Sequence, residues 1–109
     1  MLGAIIGDIA GSRFEWHNHK SKDFELLTME CKFTDDTVMS IAICEALMNS
    51  KRDMSDLGAN AVRSMQVYGN KYPGAGYGGM FSSWLITPIR SPLAVLVSVP
   101  QCALALVVL

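Results

Sequence analysis

TDDTVMSIAICEALMNS, residues 34–50, decides the fold class. Val38, Met39, Ile41, Ala42, Ile43, Cys44, Leu47 and Met48 cover nearly the whole circumference of a helix, and a helix that is apolar all round is a buried one. Thr34 fits the N-cap. Asp35 and Asp36 then fall in the first turn, where the helix dipole favours each negative charge by about 0.3–1 kcal/mol. Capping alone leaves a question, because one cap needs one hydroxyl or carboxylate and this run supplies two of each. Two carboxylates at the edge of a core raise each other's pKa unless a cation neutralises them. Their oxygens and the Thr34 hydroxyl are hard ligands, suited to Mg²⁺, Mn²⁺ or Ca²⁺ rather than zinc. On the residues alone, a charged helix cap and a metal site both stay open.

Upstream, LGAIIGDIAG reads as a helix in which Gly3, Gly7 and Gly11 share one face. Glycine costs roughly 1 kcal/mol relative to alanine in a helix interior, so the spacing predicts that another backbone approaches closely there. Asp8 interrupts the apolar run, which is also far shorter than the ~20 residues of a membrane span, and is read as a structural carboxylate. Residues 17–32 are polar and aperiodic and read as a loop, with His17 and His19 on its solvated surface. Downstream, a third helix is predicted over 55–68: Ser55 caps it, Leu57, Ala61, Met65 and Tyr68 share a face, and Gly69 ends it. Residues 72–79, YPGAGYGG, form a glycine-rich loop. That loop formally satisfies G-x-G-x-x-G, but no strand precedes it and no acid follows it, so a dinucleotide fold is rejected. Trp16, Trp84 and the seven methionines read as core or groove lining. Three helices and no alternating strand predict an all-α fold.

Composition adds limits. A chain of 109 residues suits one domain. Charged residues are 17% of it, below the roughly 25% of average globular chains. A formal net charge of −1 gives no field for nucleic acid or acidic membranes. All ten acids lie at or before Asp56. Cys31, Cys44 and Cys102 form no C-x-x-C pair, which favours a reducing compartment, and the N-terminus makes a poor signal peptide. A cytoplasmic location is the expectation.

Three motifs in order, GAIIGDIAGSRFEW at 3–16, FTDDT at 33–37 and YPGAGYGGMF at 72–81, resemble the N-terminal part of the ADP-ribosylglycohydrolase family, which includes the dinitrogenase reductase-activating glycohydrolase. The resemblance runs from residue 3 to about Leu85. It implies an all-α orthogonal helical bundle, a pair of divalent ions (Mg²⁺ or Mn²⁺) in a cleft, and hydrolytic removal of ADP-ribose from a modified side chain. ADP-ribosylated proteins or small molecules that contain ADP-ribose are the implied partners. By position, Thr34, Asp35 and Asp36 resemble the first metal-binding motif, and Glu15 resembles the acid that faces the metals and the ribose. Gly76, Tyr77, Gly78 and Gly79 resemble the loop that approaches the ADP-ribose. Cleavage of a ribosyl bond develops oxocarbenium character, so a divalent ion on the ribose hydroxyls and a general base at Glu15 agree with that chemistry.

The likeness stops near residue 87. Residues 1–87 are read as the N-terminal portion of such a domain, and 88–109 as an apolar tail foreign to the family. SPLAVLVSVPQCALALVVL carries no charge, whereas the family continues with more helices and a late Asp-x-Asp-Thr/Ser motif that completes the metal pair. An out-of-frame tail is the favoured reading; a packed tail and a membrane anchor are the others, and Pro100-Gln101 counts against the anchor. The expectation is an incomplete bundle: a truncated hydrolase inactive on its own and prone to self-association through open apolar faces. The alternatives are a non-catalytic remnant that binds Mg²⁺ and ADP-ribose, or a small membrane-tethered helical protein.

Overall fold

The computed structural model describes residues 1–88, and within them every regular element is helical. Helix α1 spans Leu2–Gly11 and runs into a 3-10 turn at Ser12–Phe14; α2 spans Asp35–Asn49, α3 Leu57–Lys71 and α4 Gly79–Leu85. The all-α expectation holds. The tail readings fall beyond Pro88, outside the described residues.

The middle of the structure is α2. Thr34 is its N-cap in extended conformation, and its Oγ1 accepts from the Asp36 amide at 3.3 Å. Val38, Met39, Ala42 and Ile43 of α2 pack with Val62 and Met65 of α3 and with Phe81 and Leu85 of α4 into one apolar cluster. Met39 and Met65 are its largest fully buried side chains. The helix is not buried on every side: Ile41 is 37% exposed and Met48 82% exposed, so the apolar circumference overstates the cover among the described residues. The other methionines and Trp16 likewise leave the core, with Trp16 84% exposed, whereas Trp84 packs in a tilted arrangement on Phe81, ring centroids 5.3 Å apart.

Helix α3 starts two residues later than its pattern suggests. The Ser55 hydroxyl donates to Asp53 Oδ1 at 2.9 Å instead of capping, and Asp56 takes the N-cap position without a side-chain bond to the helix, its Oδ1 accepting from the Lys51 amide at 2.9 Å. Nor does Gly69 end the helix. It is buried inside α3, and a Cβ there would lie 2.4 Å from Leu85 Cδ2. Its smallness therefore serves the contact with α4, and α3 continues to Lys71, two residues before Pro73, which disfavours helical geometry at Tyr72. Helix α4 itself was not expected. Seven residues that begin with Gly79 and follow a glycine N-cap carry too little periodicity to be read as a helix.

The three glycines of α1 also depart from expectation. A Cβ at Gly3, Gly7 or Gly11 would meet nothing within 4 Å, so among the described residues no backbone presses on that face. Gly7 and Gly11 border an open cleft instead. No described helix is long and apolar enough to cross a membrane.

Candidate functional site

The N-terminus of α2 is assembled from three distant parts of the chain. The first is Asp8, on α1. Its Oδ2 accepts from the Thr34 amide (2.8 Å), the Thr37 amide (3.2 Å) and the Thr37 hydroxyl (2.5 Å), while its Oδ1 accepts from the Thr34 hydroxyl at 2.5 Å. One carboxylate thus satisfies orphan donors of the first turn of α2, and it agrees with the structural reading of Asp8. Thr37 was not singled out from the sequence; the second threonine of the T-D-D-T run was the available signal.

The second part is the glycine-rich loop. The Asp35 amide donates to Ala75 O at 2.8 Å, which clamps the loop to the first residue of α2. Gly76 has φ +105°, a conformation that side chains rarely adopt, and a Cβ on it would stand 3.9 Å from Asp35 Oδ1. The third part is the segment after α1. Ser12 Oγ donates to Ile9 O at 2.8 Å and accepts from the Lys32 amide at 3.1 Å, while Arg13 donates to Thr28 Oγ1 at 3.2 Å and to the Glu25 carbonyl. These bonds tie the loop to the end of α1 and set Glu15 beside the mouth of α2.

Two clefts meet there. One, of about 520 Å³, lies between the glycine face of α1 and the start of α2, with Asp8, Glu15, Thr34, Asp35 and Asp36 on its walls. The other, of about 370 Å³, shares Glu15 and Thr34 and runs past Arg13, Lys32 and exposed Trp16 to Gly74, Ala75 and Gly76. Glu15, Thr34, Asp35, Asp36 and Gly76 are therefore brought together. Tyr77, Gly78 and Gly79 are not among the residues lining either cleft: the Tyr77 ring packs on Phe81, Gly78 is the N-cap of α4 and Gly79 its first residue. His17 and His19 stay outside, the latter packed between Phe14 and Phe24.

The electrostatics of Asp35 follow from this placement. Partial burial pushes its carboxyl above the ordinary 3.8, and the charges of Asp36 and Glu15 push it further in the same direction. The acids share a cleft without converging. Among the described residues no group of three or more His, Cys, Asp or Glu side chains stands ready to hold a metal ion, and Asp8 already spends its oxygens on α2. The donor types nevertheless fit a hard cation. Thr34 Oγ1 gives its proton to Asp8 and accepts one bond from Asp36, and a hydroxyl has a second lone pair to offer.

Comparison with known proteins adds one relationship. The chain is similar to ADP-ribosylhydrolase ARH3 of Xenopus tropicalis, 33% identical over 90 residues, which covers 72% of this chain and 25% of that protein. The relationship is distant. The chain spans about a quarter of the length of the curated relative it matches. No family model and no solved structure matches the chain.

Proposed function

We propose that the cleft between α1 and α2 is part of an ADP-ribosylhydrolase-type site, in which Thr34, Asp35 and Asp36 hold a divalent cation, Mg²⁺ or Mn²⁺. The observation that carries this reading is the crowding of Asp35. A half-buried carboxylate is held beside Asp36 and within the field of Glu15, and a bound cation would relieve that repulsion; the likeness to an ADP-ribosylhydrolase supports the reaction class. The complete pair of ions belongs to the same proposal.

The cation, when bound, supplies Lewis-acid stabilisation at ribose oxygens. The remaining steps belong to side chains of this protein. Glu15, at the junction of both clefts, accepts the proton of the water that attacks the anomeric carbon as the ribosyl bond breaks. Asp8 fixes the first turn of α2, so the neighbouring carboxylates do not need to be ordered on binding. Gly74 to Gly76 border the adjoining cleft, where backbone amides and the cations of Arg13 and Lys32 suit a diphosphate. Substrates on this reading are ADP-ribosylated proteins or small molecules that contain ADP-ribose.

A second reading, binding without turnover, is favoured by one sequence observation. All ten acids lie at or before Asp56, so residues 57–109 offer the cation no acidic side chain. Calorimetric titration with Mg²⁺ and with ADP-ribose, run beside hydrolysis of an ADP-ribosylated peptide, separates the two. The isolated 109-residue chain is expected to bind ADP-ribose more tightly with Mg²⁺ than without it, and to release little product. Turnover at rates typical of enzymes would favour the hydrolase reading over the binding one. ADP-ribose binding indifferent to Mg²⁺ would defeat both.

A further inference from the structure

The Tyr77 hydroxyl is buried and, among the described residues, has no hydrogen-bond partner, which is uncommon for a phenol out of reach of water. Leaving such a group unpaired destabilises the fold. The ring cannot easily swing out to solvent. It packs against Phe81 with centroids 5.6 Å apart, and Phe81 is 3% exposed within the apolar cluster. The position of the hydroxyl is thereby set by the core. The same loop is clamped to Asp35 through the Ala75 carbonyl on the Asp35 amide, and Gly76 sits where a Cβ would be in van der Waals contact with Asp35 Oδ1.

We propose that Tyr77 is a positioning residue for Asp35: when the site takes up a divalent cation, the Tyr77 hydroxyl donates to the Asp35 carboxylate and fixes its orientation toward the cleft. This rests on the reading of Asp35 as a cation ligand. Carboxylates that ligate metals are themselves held by hydrogen bonds, and loss of such a partner typically weakens metal affinity by about 10–100-fold. Burial, and then the charge of Asp35, push the Tyr77 phenol up to about 12, so it keeps its proton at neutral pH and remains a donor. The arrangement also accounts for a tyrosine where phenylalanine would fill the same apolar space.

Tyr77→Phe tests it, because the ring and its packing stay. Thermal unfolding without metal and calorimetric titration with Mn²⁺ are measured on wild type and variant. The expected result is a midpoint equal to or above wild type, since an unpaired buried hydroxyl is removed, together with Mn²⁺ affinity about tenfold weaker. Equal Mn²⁺ affinity in the two proteins would overturn the assignment while leaving the site reading intact. A lowered metal-free midpoint would also overturn it, by showing that the hydroxyl already has a partner in the fold. If wild type takes up no Mn²⁺, the reading of the site fails and this inference fails with it. A second readout separates orientation from folding: with ¹³C-labelled tyrosine, the Tyr77 Cζ resonance is expected to move on addition of Mg²⁺ in wild type and to stay still in Asp35→Asn.

Discussion

Toward α3, helix α2 buries Val38, Met39, Ala42 and Ile43 against Val62 and Met65; toward α1 its own Thr34 cap and Thr37 donate to one carboxylate, Asp8. The first seam is mainly apolar, with one polar bond from the Ser64 hydroxyl to Glu45 Oε2 at its side. The second is a hydrogen-bonded clasp beside open space, with Gly7 and Gly11 lining the gap. The difference separates two tasks. Apolar contact with α3 and α4 holds the helices together, and the polar clasp orients the acidic end of α2 while leaving room for a ligand.

Substitutions on the two sides are expected to behave differently. Met39→Ala, in the apolar seam, should lower stability by about 2–5 kcal/mol, measured by denaturant unfolding. Asp8→Ala should lower it by roughly 1–3 kcal/mol, because it strands the Thr34 and Thr37 amides but also removes a negative charge near Asp35 and Asp36. Hydrogen exchange should place its effect in the first turn of α2. Equal loss of protection throughout α2 and α3 would break the distinction between the seams.

The glycines sharpen the same contrast on a smaller scale. Gly69→Ala drives a methyl into the buried Leu85 side chain and is expected to cost about 1–2 kcal/mol net, overpacking outweighing the gain in helix propensity. Gly7→Ala meets open space and should stabilise by about 0.5–1 kcal/mol. A destabilising Gly7→Ala would mean that the face of α1 is covered after all.

Much of this organisation was legible in the chain. The extents of α1 and α2 follow from apolar runs bounded by Gly11 and by Thr34, both local signals. The sequence pattern starts α3 two residues early because Asp53, two residues away, competes for the Ser55 hydroxyl, and Gly69 reads as a terminator because its partner Leu85 lies sixteen residues further on. Thr34, Asp35 and Asp36 stand out as candidate ligands by residue type alone, whereas Glu15 and Gly76 are marked only by motif likeness. Their meeting did not follow from spacing, since it depends on bonds from Asp8 to Thr34 and from Asp35 to Ala75 that join distant parts of the chain. The unpartnered hydroxyl of Tyr77 has no sequence signal at all.

The account turns on whether the crowded carboxylates take up a cation. The direct measurement is calorimetric titration of Mn²⁺ into wild type and into Asp35→Asn at neutral pH. Wild type is expected to bind, with affinity falling as pH drops toward 3.8 and beginning to fall above the range of an ordinary aspartate, because the raised Asp35 holds its proton against the cation. Asp35→Asn should bind at least about tenfold more weakly. Uptake that is absent in wild type, or identical in the two proteins, would contradict the account and leave Asp35 and Asp36 as a charged helix cap.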